Sequence, residues 1–218
     1  MIRVQATTDG AFLSKQRITQ RIVELGIDAV SVSLDSADAV YDDTWPPPLN
    51  KRDGWQRVVD GVRTLPTARD PSIGPRVGLY TVVTRLNLPD IVAIPRLAAE
   101  LGCDYAVPQP VSLDDDHALS PTLALTRQEL PELRSQFERL YAADLAGVRL
   151  PAADYPGRVA AASERPTALV RGCFSGHTQF FIEPDGSVWD CPSSLGPRPD
   201  RHRSTRSPRR GDRRHVGG

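Results

Sequence analysis

The sequence predicts an α/β fold, built as a partial (βα) barrel of parallel strands and followed by a small β-hairpin that carries two cysteines. Short apolar segments alternate with amphipathic segments of helical length along most of the chain. Strands separated by helices of this length pair in parallel through right-handed crossovers. Nearer the end, a Pro-Asp-Gly turn separates two apolar stretches between Cys173 and Cys191, which is typical of a hairpin.

The repeating unit can be followed in chain order. Apolar, strand-like segments occupy residues 2–8, 28–34, 76–83 and 104–109. Helices are predicted over residues 15–25, 54–65, 88–101 and 126–145. In the last helix, five residues at helical spacing predict a buried face: Leu130, Leu133, Phe137, Leu140 and Tyr141.

Composition divides the chain into four parts. Residues 1–146 form the predicted partial barrel, residues 147–170 a linker containing Pro, Ala and Gly, and residues 171–194 the beginning of the hairpin domain. Residues 195–218 form a basic tail that is almost devoid of apolar side chains, which predicts disorder. The tail is typical either of a nucleic-acid-binding arm or of out-of-frame translation of a gene rich in G and C, and we favour the second interpretation.

Charge and hydropathy restrict the partners. The tail holds eight arginines and two aspartates, so the rest of the chain has nineteen basic and twenty-five acidic residues. This acidic body does not predict a nucleic-acid surface. No apolar run approaches the length of a membrane span, so no membrane partner is expected and the predicted location is cytoplasmic. Reduced cysteines in that compartment favour metal ligation over a disulfide.

The second predicted strand carries an unusual polar row. Alternation along DAVSVSLD places three apolar residues on one side of the strand and Ser31, Ser33 and Asp35 on the other. A strand covered by helices on both sides is normally apolar on both. The polar row therefore favours a barrel lumen that holds a ligand at the carboxyl end of the strand. The alternative is that these groups cap the following turn.

The hairpin cysteines are candidate metal ligands. Cys173 and Cys191 are spaced as C-x12-G-x4-C, and thiolates favour iron–sulfur clusters or zinc. Two cysteines do not complete a site, so further ligands would have to come from elsewhere. His177 between them is either a third ligand or a surface imidazole, and Cys103 is expected to be a small buried residue of the core.

Taken in order, five segments resemble a radical S-adenosylmethionine enzyme of the branch with a C-terminal auxiliary-cluster domain, the SPASM or twitch type. They are TTDG, VSVSLD, VVTRLN, VPQP and the final cysteine hairpin, and the resemblance covers residues 1–192. It implies that the four predicted strands are roughly the third to sixth of the family's barrel. The family uses a [4Fe-4S] cluster and S-adenosylmethionine to form a 5′-deoxyadenosyl radical that abstracts a hydrogen from the substrate.

The resemblance also implies roles for single residues. Ser33 and Asp35 would contact the ribose and amino-acid moieties of S-adenosylmethionine, and Thr8 and Asn87 would line the same opening. Gln109 would face the cofactor or the substrate from the next strand end.

The implied partners of the complete enzyme are of three kinds. Cys173 and Cys191 would ligate an auxiliary [4Fe-4S] cluster in the hairpin domain. The substrate would be a peptide or a sugar- or nucleoside-like molecule. An electron donor such as flavodoxin or ferredoxin would reduce the clusters.

The chain departs from the family in one decisive motif. The C-x3-C-x2-C sequence that holds the family's cofactor-binding cluster is absent. We therefore expect a fragment, truncated at both ends, that does not form the radical alone. The competing hypothesis is a non-enzymatic zinc- or partner-binding α/β protein that uses the hairpin cysteines. A third, an ordinary α/β-barrel enzyme, leaves those cysteines unexplained.

Overall fold

The computed structural model describes residues 3–39, 54–70, 72, 74–113, 117–164, 181–182 and 186–189. The chain divides into two compact units, residues 1–168 and 169–218. The predicted α/β class is confirmed in the first unit, where helices alternate with the strands of a parallel sheet.

The first unit contains four strands and six α-helices within its described residues. The strands are β1 (Gln5–Thr8), β2 (Ala29–Ser33), β3 (Arg76–Val83) and β4 (Tyr105–Pro110). The helices are α1 (Gln16–Glu24), α2 (Gly54–Ala68), α3 (Ala93–Glu100), α4 (Ser120–Leu123), α5 (Leu130–Ala142) and α6 (Tyr155–Glu164). A 3₁₀ turn (Leu88–Asp90) follows β3.

The four strands pair in the order β1-β2-β3-β4, and every pair is parallel. Strand order therefore equals chain order, with no reversal within the sheet. Right-handed crossovers between strands in this order place the connecting helices on the same side of the sheet.

The helix-covered side of the sheet is apolar. Val30 pairs with Val77, Val32 pairs with Leu79, and all four side chains are fully buried. Val62, Leu65, Ile94 and Ala98 of the covering helices belong to the same apolar core. Burial of this side supplies the main hydrophobic contribution to folding of the first unit.

The opposite side, here called the open side, carries mostly polar residues. Side chains in register across a parallel sheet share a side, so the pairings assign Ser31, Gly78 and Tyr105 to one row and Ser33, Tyr80 and Val107 to the next. Thr7 pairs with Ser31 and belongs to the first of these rows. The row nearer the start of the strands contains Gln5, Ala29 and Arg76, and the row nearer their ends contains Val82 and Gln109. Ser33 is exposed and Val82 is 42% exposed, so the open side is accessible at the carboxyl ends of the strands.

Two helices differ from the sequence prediction. The helix predicted over residues 88–101 is divided into the 3₁₀ turn and α3. Pro95 has no N–H to bond the carbonyl four residues earlier, so the helix begins where Pro95 falls in its first turn. Residues 155–164 form α6 inside the predicted linker. Pro156 and Gly157 have low helical propensity, so this helix was not predicted. Burial of Val159 and Ala160 in the core stabilises it.

Helix α5 confirms its predicted apolar face. Leu130, Leu133, Phe137 and Leu140 are buried, and Tyr141 is half-buried. The ring of Phe137 packs on Tyr155 of α6 at a centroid distance of 6.3 Å. This contact explains how α6 is held without strong helical propensity of its own.

In the second unit, the described residues form a small antiparallel pair. Strand β5 (Phe181–Ile182) pairs with β6 (Val188–Trp189), where the sequence predicts a hairpin. Gly186 between them has a φ of +86°, a conformation that favours glycine. Cys173, His177, Cys191 and the basic tail lie outside the described residues, so the predictions about them stay predictions.

No described helix has both the length and the apolar composition that crossing a membrane requires.

Candidate functional site

The predicted cofactor-binding residues lie together at one edge of the sheet. Thr8 and Ser33 are the last residues of β1 and β2, Asp35 and Asn87 follow β2 and β3, and Gln109 lies near the end of β4. We call this edge the carboxyl edge. Open parallel sheets and barrels place their ligand sites at this edge, where loops from several strands converge.

Asp35 connects the ends of β2 and β3. Its Oδ1 accepts a hydrogen bond of 2.8 Å from the backbone N–H of Val82. Burial raises the pKa of Asp35, and this hydrogen bond opposes the rise only in part. Within the described part of the chain Oδ2 has no hydrogen-bond partner, so the carboxyl group retains acceptor capacity for a ligand.

Ser33 and Gln109 are the accessible polar groups beside Asp35. Ser33 is exposed and Gln109 is half-buried, and Gln109 pairs in register with Val82 on the open side. Neither side chain forms a hydrogen bond with another described residue. Together with Asp35, they present a hydroxyl, an amide and a carboxyl group to any molecule at the carboxyl edge.

Asn87 has a different role in this structure. Its side chain is 5% exposed, and its Oδ1 accepts hydrogen bonds from the N–H and the hydroxyl of Thr84. Its Nδ2 donates to the carbonyls of Asp35 and Val82 at 2.8 and 2.9 Å. The amide therefore has no capacity left for a ligand. Asn87 joins the strand ends that carry Asp35, and its predicted contact with a cofactor would require these bonds to open.

Thr8 belongs to the other side of the sheet. It pairs with Val32 of the helix-covered side, whereas Ser33 lies on the open side. Its Oγ1 accepts a hydrogen bond of 3.1 Å from the N–H of Gly10, which caps the turn after β1. The structure thus places Thr8 at the carboxyl edge but does not bring its hydroxyl together with Ser33.

A chain of hydrogen bonds that the sequence did not predict crosses the open side. Gln5 Nε2 donates to Ser31 Oγ at 2.7 Å, and Ser31 Oγ lies 2.8 Å from the hydroxyl of Tyr105. The Tyr105 hydroxyl also donates to the carbonyl of Val30 at 3.2 Å. Burial raises the pKa of Tyr105, which further favours the protonated phenol that donates this bond.

This chain of hydrogen bonds fills the open side next to the row of Ser33 and Tyr80, toward the amino ends of the strands. We call this region the blocked part of the open side. Gly78 allows this arrangement, because the ring of Tyr105 lies against the β3 backbone at that position. A glycine inside a strand often marks such a close approach, so Gly78 is the signal in the sequence that could have indicated a close neighbour here.

Tyr80 is another residue near the site that the sequence did not predict. It lies one row closer to the carboxyl edge than Tyr105, in register with Ser33. The two aromatic rings meet edge to face, with centroids 6.2 Å apart and an interplanar angle of 72°. Tyr80 is half-buried and lies between the blocked part of the open side and the accessible edge.

The described residues do not form a metal site. Cys103 is the single described cysteine. It is 6% exposed, and burial raises the pKa of its thiol to about 12, so the thiolate that a metal requires is disfavoured. It precedes β4, far along the strand from the carboxyl edge, which agrees with its predicted role in the core. Among the described residues no cluster of three His, Cys, Asp or Glu side chains could hold a metal ion.

These features define an α/β protein with a parallel sheet and a polar, accessible site at the carboxyl edge. No family model matches the chain, and no curated protein is significantly similar to it.

Proposed function

We propose that the chain binds S-adenosylmethionine at the carboxyl edge, as part of a radical S-adenosylmethionine enzyme with a partial (βα) barrel and an auxiliary-cluster domain. The observation that carries the proposal is the placement of Ser33 and Asp35 at the accessible end of a polar side of a parallel sheet. Both residues lie in VSVSLD, one of the segments that resemble the family.

The strand order supports the partial barrel. Doubly wound sheets reverse their strand order at a switch point and carry helices on both sides. Here the order is sequential, and the open side is polar beneath its accessible edge. An arc of a barrel has this arrangement, because its helices form an outer layer and its inner side faces the ligand.

The chemistry of the carboxyl edge suits the adenosyl and amino-acid parts of S-adenosylmethionine. Ribose hydroxyls and an ammonium group are hydrogen-bond donors, and the unpaired oxygen of Asp35 is an acceptor. The positive sulfonium further favours a site with a carboxyl group, provided that Asp35 is ionised when the ligand binds. Ser33 offers a hydroxyl that both donates and accepts, and Gln109 offers an amide from the neighbouring strand.

The proposal for this chain is cofactor binding and not radical formation. The sequence lacks C-x3-C-x2-C, and the described residues do not fit an iron–sulfur cluster. Hydrogen abstraction from a peptide or a sugar- or nucleoside-like substrate, with electrons from flavodoxin or ferredoxin, is proposed only for an enzyme that also supplies that motif.

Isothermal titration with S-adenosylmethionine tests the proposal. The variants Ser33→Ala and Asp35→Asn are each expected to weaken binding about tenfold, as loss of one hydrogen bond to a ligand predicts. Asp60→Asn is the matched control, because Asp60 is exposed on α2 and away from the open side. A wild-type chain that does not bind at millimolar concentration, or site variants that bind as the wild type does, would refute the proposal.

A further inference from the structure

Tyr80 differs from the other tyrosines that the structure describes in the hydrogen bonding of its hydroxyl group. The hydroxyl of Tyr105 bonds Ser31 and Val30, that of Tyr141 donates to the carbonyl of Pro151, and that of Tyr155 donates to the carbonyl of Pro108. The hydroxyl of Tyr80 bonds no described residue. Because half-buried phenols usually find a hydrogen-bond partner, this group is available for one that the chain does not supply.

The position of Tyr80 indicates where that partner would come from. Tyr80 is in register with Ser33 on the neighbouring strand, and both side chains belong to the open side. Neighbouring strands lie about 4.8 Å apart, so a molecule held by the Ser33 hydroxyl also lies beside Tyr80. Two residues further along β3, the N–H of Val82 holds Asp35. Tyr80, Ser33 and Asp35 therefore border one space at the ends of β2 and β3.

Tyr105 limits where the ring of Tyr80 can go. The edge-to-face contact at 6.2 Å supports the Tyr80 ring from the blocked part of the open side. Tyr105 is itself held by its bonds to Ser31 and Val30. The ring of Tyr80 is thus positioned by a side chain that is fixed to β2, and its rotation toward Tyr105 is hindered.

We propose that Tyr80 is a further ligand-binding residue of the open side, beside Ser33, Asp35 and Gln109, and that its hydroxyl hydrogen-bonds the adenosyl moiety of the bound molecule. This inference rests on the proposed binding of S-adenosylmethionine. The adenosyl moiety offers ribose oxygens and ring nitrogens that accept a hydrogen bond from a phenol. Tyr80 adds an uncharged donor beside the carboxyl group of Asp35, which can only accept when it is ionised.

Tyr80→Phe tests the inference in the full chain, because it removes the hydroxyl and keeps the ring. The hydroxyl has no partner in the described chain, so the variant is expected to retain the stability of the wild type. In isothermal titration with S-adenosylmethionine, its dissociation constant is expected to rise about five- to tenfold. Tyr141→Phe is the matched control, because it removes a hydroxyl that bonds Pro151. The control is expected to bind S-adenosylmethionine with the affinity of the wild type.

The outcomes separate this inference from the function on which it rests. Weaker binding by Tyr80→Phe at unchanged stability, with unchanged binding by Tyr141→Phe, supports the inference. If the wild type binds and Ser33→Ala weakens binding while Tyr80→Phe does not, the inference is wrong and the proposed function stands. If the wild type does not bind S-adenosylmethionine, both are wrong.

Discussion

The ring of Tyr105 occupies the space above Gly78 in which a side chain would otherwise stand. A Cβ atom built at Gly78 would overlap Cε2 of Tyr105, far closer than non-bonded carbon atoms approach one another. The two residues are also partners in the pairing of β3 with β4. Through this contact, the tyrosine reaches across β3 and bonds Ser31 on β2.

Gly78→Ala is expected to lower the free energy of unfolding by about 2 kcal/mol, because the added methyl group must displace the Tyr105 ring or the strand. Denaturant unfolding followed by circular dichroism measures the change. Gly157→Ala is the matched control. It adds the same methyl group in α6, where nothing lies within 4 Å of the new Cβ, and is expected to be neutral or slightly stabilising. Equal effects of the two substitutions would contradict the close contact.

Asn87→Asp is expected to cost about 2 to 3 kcal/mol of stability, although it preserves the size of the side chain. The substitution replaces the amide donor with an acceptor, which then faces the carbonyls of Asp35 and Val82. Thermal unfolding at neutral pH measures the loss. Gln128→Glu makes the same chemical change at an exposed position and is expected to have little effect. If Asn87→Asp were equally mild, Asn87 would not be the connection between β2 and β3.

Ionisation of Asp104 is expected to make the protein less stable in acid. Burial alone would raise the pKa of Asp104, but hydrogen bonds from Arg69 and from the N–H of Val77 outweigh burial and hold the pKa below its ordinary value of 3.8. The ionised carboxylate therefore favours the folded state above about pH 4. This contribution is lost as the pH falls through the lowered pKa of the folded state.

Asp104→Asn is expected to reduce this dependence of stability on pH between about pH 5 and pH 2. It is also expected to destabilise the protein at neutral pH, because Arg69, which is 7% exposed, loses its charged partner. Asp35→Asn should change the dependence of stability on pH in the opposite direction. The raised pKa of Asp35 makes its contribution to stability largest in acid and removes it as the pH rises. An unchanged acid profile in Asp104→Asn would refute the assignment.

Metal content distinguishes the radical-enzyme hypothesis from the zinc- or partner-binding alternative. After anaerobic reconstitution with iron and sulfide, a cluster held by Cys173, Cys191 and further ligands from elsewhere predicts visible iron–sulfur absorbance, which Cys173→Ser with Cys191→Ser should abolish. Cys103→Ser is the control, since Cys103 is buried and is expected to bind no metal. A colourless protein that retains zinc would favour the alternative. In either case the isolated chain is expected to release no 5′-deoxyadenosine, because C-x3-C-x2-C is absent.

Local pattern in the sequence was enough to predict the parallel sheet and much of its core. Residues 76–83 were predicted as a strand, and β3 has these bounds. Period-two alternation assigned Val30 and Val32 to the buried side, and helical spacing assigned Phe137 and Leu140 to the core. These predictions succeeded because periodicity directly states which side of an element is apolar. The position of Ser33 and Asp35 at a strand end followed from the same reasoning.

Only the tertiary structure decided what the polar side chains do. Ser31 and Tyr105 are 74 residues apart and Asn87 and Asp35 are 52 apart, and no local pattern states that they meet. Asn87 was predicted to line a site, yet its four hydrogen bonds lie within the protein. The sequence by itself determined which side of the second strand is apolar and packs in the core. The strand register determined which distant groups share hydrogen bonds, and it left the hydroxyl of Tyr80 without a partner among the described residues.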